Sequence, residues 1–273
     1  MLLQYAVDNM PFDKEHHVAE LKLDGIRMII STMDGLRLYT RHQNDVTNKF
    51  PELHDTPLPP GTVLDGELIV SDKQGKPDFE ATMSRFQSRS SRAKATFCAF
   101  DIIRYKGIDV TGLPLSRRKE LLYETFTETE RYTKVRPAIG STIQYYEAVS
   151  AQGLEGIVIK DLRSKYAVNT RSWAWQKVIN WTYADVFITG MRQEQLGWLA
   201  AIEENGRIRP AGIIEFGINS EHKQALRSIQ DKLVYKEDQF AKHFRPLIRA
   251  RVKTRNWTKN GMLRSPVFEE FIL

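Results

Sequence analysis

The sequence predicts an α+β protein in two parts: a sheet-rich body with three helices over residues 1–183 and a small β-barrel over residues 184–273. Three observations carry this expectation. Apolar and charged residues alternate over short runs punctuated by Asp-Gly and Asn-Gly turns, the pattern of half-buried strands joined as hairpins. Three longer segments before Lys177 carry helix start or stop residues, and one of them, PLSRRKELLYETF, repeats its apolar residues at helical spacing. After Lys177 the texture changes to short strands with a single helix among them.

The opening run MLLQYAVDNMPFDK is short and broken by Asp8, so it reads as neither a signal peptide nor a membrane span. In HVAELKLDGIRMIIS, strand alternation points Ala19, Leu21 and Leu23 one way and Glu20, Lys22 and Asp24 the other, lining one face with three charges. Gly25 interrupts the run, IRMIIS resumes it, and the Asp34-Gly35 turn leads into LRLYTR. A second hairpin is expected where TVLDGELIVS meets the turn signal DKQGKPD. DFEATMSRFQS reads as a helix opened by Asp78, and AKATFCAFDIIRY as a strand. PLSRRKELLYETF is a helix with proline at its start, and STIQYYEAVSAQG a helix ended by Gly153. EGIVIKD is a short apolar strand between Glu155 and Lys160.

Beyond it, ADVFITGM, GWLAAIEENGRIRPAGIIEFG and IRARVKTRNW read as strands, with an Asn205-Gly206 turn and the helix SEHKQALRSIQDKL. That content suits an OB-fold or another small β domain, and the boundary is placed near Tyr183.

Composition bounds the function. A chain of 273 residues with 41% hydrophobic content can bury a proper core, which excludes a disordered protein. One cysteine, Cys98, excludes an intrachain disulfide framework and reads as buried strand packing. Forty basic against thirty-four acidic residues give +6, which favours a polyanionic partner because phosphate binding releases counterions. A solvated basic surface would give the same total. A soluble, cytoplasmic monomer is expected.

The tetrapeptide Lys22-Leu23-Asp24-Gly25 arises by chance in about one chain in twenty of this length and says little alone. It is followed by further charged islands at the ends of apolar strands, each ordinary as an edge residue. LDGEL holds Asp65 and Glu67, AFDII holds Phe100 and Asp101, LEGIVIK holds Glu155 and Lys160, and WAWQKVINW holds Lys177. In this order they resemble the covalent nucleotidyltransferases, and specifically the ATP-dependent DNA ligases. KLDGIR resembles the adenylation motif, YTRHQNDVTNKFPEL the segment after it, LDGEL and CAFDII the central motifs, GLEGIVIK the fourth and WQKV the fifth. WTKNGMLRSPVF resembles the family's C-terminal Leu-Arg-x-Pro-x-Phe element on an OB-fold.

The resemblance implies an antiparallel-sheet nucleotidyltransferase domain of ATP-grasp-like adenylation type over 1–183, followed by an OB-fold barrel over 184–273. It implies Lys22 as the nucleophile that takes AMP from ATP. A lysine amine attacks phosphorus only when unprotonated, and a nearby cation disfavours the protonated form. Lys177 and a bound Mg²⁺ or Mn²⁺ would supply one. Glu155 and Asp24 are implied as metal-side carboxylates, with Glu67 near the ribose or a metal-bound water. Phe100 would stack on adenine, Glu20 accept from its amino group, and Arg27 and Arg41 hold ribose and phosphate. Arg171 precedes the fifth motif, and Arg264 would orient the pyrophosphate.

Three departures stand out. Arg41 is followed by His42 and Gln43 where the family carries Arg-x-Gly. The second lysine of the fifth motif is Ile179, so one of two α-phosphate lysines is missing unless another basic residue such as Lys160 covers for it. The chain ends in FEEFIL without a basic tail. The implied activity is sealing of nicked double-stranded DNA with ATP. Its rivals are an RNA ligase or a capping guanylyltransferase of the same superfamily, or a DNA-binding relative without catalysis. No sequence feature assigns replication, repair or end joining, or a protein partner in them.

Overall fold

A computed structural model describes residues 1–88 and 90–272. The chain divides into two compact units that meet between Ile179 and Asn180. In chain order the first unit has strands β1 (Leu2–Tyr5), β2 (His17–Leu21), β3 (Ile26–Ser31), β4 (Arg37–Thr40), β5 (Val63–Ile69), β6 (Thr96–Tyr105), β7 (Ile108–Asp109), β8 (Tyr132–Lys134), β9 (Gly156–Asp161) and β10 (Arg171–Ile179). Its helices are α1 (Phe79–Gln87), α2 (Leu115–Thr125) and α3 (Thr142–Ala151). One sheet has the order β1-β10-β9-β2. The other runs β4-β3-β5-β6-β7, with β8 added in parallel to β6.

The helices start where their caps predict. Asp78 accepts from the Ala81 amide at 2.9 Å and Ser141 from that of Gln144 at 3.3 Å, each satisfying a donor that the first helical turn leaves open. The expected second hairpin does not form. After β5 the chain turns back only far enough for an isolated Ser71–Pro77 bridge and then enters α1.

Strand alternation separates a dry face from a polar one in both sheets. Met28, Ile30, Leu64, Leu68, Phe97 and Ile102 send their side chains into one core. Ala19, Ile157, Ile159 and Val178 send theirs into a second core, under Val149 of α3. Cys98 is buried in β6, as its apolar setting predicts. Burial pushes its thiol up to about 11.

The polar side of the β5–β6 pair carries Asp65 and Asp101, read from the sequence as strand-end charges. Both are in fact wholly buried, and they stand directly opposite each other on adjacent strands. Like charges in that position repel. Each is neutralised by a forked arginine. Arg27 donates to Asp65 through Nε at 3.0 Å and Nη2 at 2.6 Å. Arg118, also wholly buried, donates to both oxygens of Asp101 at 2.8 Å and from Nη1 to the carbonyls of Leu113 and Ser164. Tyr166 gives its hydroxyl proton to Asp65 at 2.7 Å.

The second unit is built from β11 (Thr182–Arg192), β12 (Trp198–Glu204), β13 (Arg207–Ile214), α4 (Ser220–Gln230), β14 (Val234–Glu237), β15 (Ala241–Thr254) and β16 (Val267–Ile272). The boundary expected at Tyr183 falls inside β11, whose pairing with β15 begins at Thr182 and Thr254. The strand order is β13-β12-β11-β15-β14, with β16 also on β15. The sheet curls: a parallel bridge joins Phe216, just past β13, to Val267 of β16. Inside it Trp198 packs against Phe268, ring centroids 5.2 Å apart, with Leu226 of α4 in the same core. Among the described residues no helix is long and apolar enough to cross a membrane.

Removing one partner of a buried ion pair strands the other. Arg118→Met is therefore expected to cost about 3–5 kcal/mol in urea unfolding. A loss below about 1 kcal/mol would show that Asp101 finds another partner.

Candidate active site

Between the two sheets of the first unit lies a cavity with an empty volume of about 490 Å³, open mouth included. Glu20, Lys22, Val158, Lys160 and Trp175 come to it from one sheet, and Arg27, Glu67 and Phe100 from the other. Cross-strand register explains the first set. Val18, Lys160 and Trp175 form one row across β2, β9 and β10, and Glu20, Val158 and Lys177 the next but one, so all share the face opposite the α3 core.

Lys22 sits one residue past the end of β2, its amide donating to the Gly156 carbonyl at 2.9 Å. Its Nζ donates to Glu155 Oε2 at 2.7 Å. Two glycines bring the pair together. A Cβ on Gly25 would lie 2.2 Å from the Leu68 carbonyl oxygen. One on Gly156, whose φ is +137°, would lie 2.1 Å from that of Val178. The alternation predicted through Asp24 ends at Leu21, where the strand ends, so Leu23 lines the cavity beside Lys22. Among the described residues Asp24 is not in the lining.

Phe100 reaches the cavity through a β-bulge. Gly66 pairs with Ala99 and Asp65 with Asp101, leaving Phe100 as the extra residue. Both Phe100 and Asp101 thus face the polar side, one into the cavity and one onto Arg118. The Phe100 ring meets Trp175 edge to face at 6.0 Å, with the Lys160 ammonium 4.7 Å from its centroid and the Arg27 guanidinium at 5.7 Å.

Glu20 is 1% exposed and flanked by two ammonium groups, Lys160 at 2.6 Å on Oε2 and Lys119 on Oε1. Burial works to raise its pKa, but the two lysines outweigh it and hold the carboxylate below its usual range. Burial lowers Lys160 to about 8, against the pull of Glu20. Burial also pushes Glu67, on β5 opposite Arg27, up to about 8, with Lys22 opposing and Glu155 adding to the rise. For Arg27 burial acts downward, but Asp65 prevails and raises it above the ordinary guanidinium value.

The other expected residues lie elsewhere. Lys177 shares the polar face of β10, its ammonium 3.8 Å from the ring centroid of Tyr5. Ile179 closes β10 wholly buried; its amide and carbonyl are held by the Asn9 side chain at 2.9 and 2.8 Å. Arg41 is exposed in the turn after β4, where Gln43 takes a positive φ. Arg171 is exposed at the start of β10 and donates to the Leu3 carbonyl. Arg264 belongs to the second unit, its backbone clamped to Arg255 and Asn256 between the buried anchors Leu263 and Phe268. Sequence reasoning passed over Lys119, Tyr166 and Trp175. Trp175 alone left a signal, inside the quoted WAWQKV.

The Glu67 carboxyl predicts a pH dependence. Its folded pKa of about 8 lies above the reference 4.5. The stability its bound proton contributes is full below pH 4.5 and is lost as pH rises toward 8. The slope from this one group is at most about 1.4 kcal/mol per pH unit. Urea unfolding between pH 5 and 8 in chelator is expected to show a downward slope for the wild type that Glu67→Gln flattens. Parallel curves for the two proteins would contradict the assignment.

The model of the ATP dependent DNA ligase domain matches residues 3–178. The SPbeta prophage-derived DNA ligase-like protein LigB of Bacillus subtilis is 39% identical over 96% of this chain and 94% of its own length. The multifunctional non-homologous end joining DNA repair protein LigD of Mycobacterium tuberculosis is 28% identical over 90% of this chain, which spans 34% of that protein. Among solved structures, a Lig E DNA ligase superposes with a TM-score of 0.71 at 21% identity, covering 100% of this chain and 98% of that one. The ligase domain of M. tuberculosis LigD gives 0.57 at 23% identity, covering 99% and 93%. At those identities the structures speak for the fold. The family match and the LigB likeness go further: the chain belongs to the ATP-dependent DNA ligase domain family.

Proposed function

We propose that this protein is an ATP-dependent DNA ligase that seals nicks through a lysyl-AMP on Lys22. The observation that carries the reading is Lys22, paired with Glu155 at 2.7 Å, on the wall of a cavity that also offers Phe100 as an aromatic face. An ammonium is not a nucleophile; Glu155 is placed to take its proton as the amine attacks. A P–N bond then forms between Nζ and the α-phosphorus, and pyrophosphate leaves. Phe100 is assigned to stacking on adenine, Glu20 to its amino group, and Arg27 and Glu67 to ribose and phosphate. Lys160 and Lys177 face the same side of the sheet and supply positive charge.

Among the described residues no group of three or more His, Cys, Asp or Glu side chains gathers to hold a metal. Mg²⁺ bound through ATP phosphates needs only one or two protein carboxylates, so the donor set fits: Glu155 would hold the ion, with Glu67 near its waters. The ion would neutralise charge developing on the phosphoryl oxygens.

In the later steps AMP passes to the 5′-phosphate of a nick, and the adjacent 3′-hydroxyl attacks that phosphate and releases AMP. The curled second unit is read as an OB-fold barrel that carries Arg264 for the pyrophosphate step and serves the DNA side afterwards. The net charge of +6 suits a phosphate backbone as partner.

One gel tests the reading: protein, labelled ATP or GTP, Mg²⁺, and nicked DNA or nicked RNA. Adduct from ATP and sealing of DNA are expected. Adduct from GTP, or sealing of RNA alone, would turn the assignment to the guanylyltransferase or RNA-ligase members of the superfamily. Lys22→Ala is expected to lower adduct formation more than about a thousandfold while still sealing pre-adenylated nicked DNA. Normal labelling of that variant would remove Lys22 as the nucleophile.

A further inference from the structure

Strand β1 precedes every motif read in the sequence, and those motifs leave its side chains without a role. It runs parallel to β10, with Tyr5 as the cross-strand partner of Lys177 and the Ala6 amide donating to the Lys177 carbonyl at 3.0 Å. The end of β1 is thus tied to Lys177. Alternation sorts its side chains: Leu3 lines the cavity, while Ala6 is buried in the core under α3. Tyr5 therefore falls on the cavity side, in a row that continues through Lys177 and Val158 to Glu20.

The Lys177 ammonium lies 3.8 Å from the centroid of the Tyr5 ring. Core packing does not account for that ring, which is 41% exposed. Its face attracts a cation through the quadrupole of the π system, a property that Tyr shares with Phe and that an aliphatic side chain of like bulk lacks. A ring also differs from a carboxylate in what it does to the charge. Glu155 and Glu20 offset the charge of Lys22 and Lys160, whereas an aromatic face holds an ammonium in place with its charge intact. The alternation that puts Trp175 and Lys177 on the cavity side of β10 brings Ile179 next, which is apolar and adds no charge.

We propose that Tyr5 is a positioning residue for adenylation: its ring holds the Lys177 ammonium, charged and on the cavity side of the sheet, for the phosphates of ATP. This rests on the reading that Lys177 supplies positive charge to ATP. Without the ring the lysine stem samples more rotamers and the amine gives up its proton more readily. Less positive charge then stands by as pyrophosphate leaves.

The test is the single-turnover rate of AMP transfer to the intact protein from labelled ATP with Mg²⁺. Tyr5→Leu is expected to slow it about fivefold and Tyr5→Phe to keep it within about twofold of the wild type. In a Lys177→Met background Tyr5→Leu is expected to cost nothing further. Tyr5→Met repeats the measurement should the leucine variant not fold. A phenylalanine variant as slow as the leucine one, or an equal loss in the Lys177→Met background, overturns the proposal, since Tyr5 would then act through its hydroxyl or through packing. Acylation of Lys177 by acetic anhydride, mapped by mass spectrometry, reads the contact without ATP, because only the unprotonated amine reacts. It is expected to run about fivefold faster in Tyr5→Leu and unchanged in Tyr5→Phe. Equal acylation in Tyr5→Leu and the wild type would also overturn the proposal. A wild type that shows this acylation pattern but forms no adduct contradicts the ligase reading instead, and leaves the hold of Tyr5 on Lys177 standing.

Discussion

Two buried aspartates stand side by side at the centre of the first unit, and the rest of its polar architecture answers to them. Asp65 and Asp101 are opposite partners on β5 and β6 with no exposure to water. Left unpaired, such carboxylates would cost several kcal/mol each. Arg27 and Arg118 neutralise them, and each arginine does a second thing in consequence. Arg27, held by Asp65, presents its guanidinium to the cavity beside Phe100. Arg118, held by Asp101, ties α2 to β6, and the next residue of α2 reaches Glu20.

The lysines of the site divide by partner. Lys160 is buried and closed in with Glu20; its lowered pKa of about 8 would, taken alone, mark it as the reactive amine. Its geometry argues otherwise, since its side chain is only 3% exposed and its ammonium is enclosed between Glu20 and the Trp175 ring, whose centroid lies 4.1 Å away. Lys22 retains 18% side-chain exposure on the cavity wall and pairs with Glu155 at 2.7 Å. On the proposed reading, burial assigns Lys160 to holding the base reader and access assigns Lys22 to attack.

Much of this was legible in the residues. Hairpin turns, helix caps and alternation gave most elements of both units, because each depends on neighbours within a few positions. Lys22, Glu67, Phe100, Glu155 and Lys160 were all named from motif order; four of them line one cavity, and Glu155 meets Lys22 at 2.7 Å. What stayed hidden depends on distant partners or on a break in period. Nothing local says that Asp65 and Asp101 are opposite each other, or that Lys119 meets Glu20 across the fold. The bulge at Phe100 defeats a period of two, since it puts consecutive residues on one face. The strand end at Leu21 does the same to Asp24, which alternation had grouped with Glu20 and Lys22. Ile179 looked like a vacancy in a phosphate site; it is wholly buried, its backbone clamped by Asn9.

Locating the adduct tests the division of labour among the lysines most directly. The protein is incubated with ATP and Mg²⁺, digested without acid, and its peptides are mapped by mass spectrometry. AMP is expected on Lys22, in the peptide that carries Leu23-Asp24-Gly25. AMP on Lys160, or on no lysine of the first unit, would contradict it.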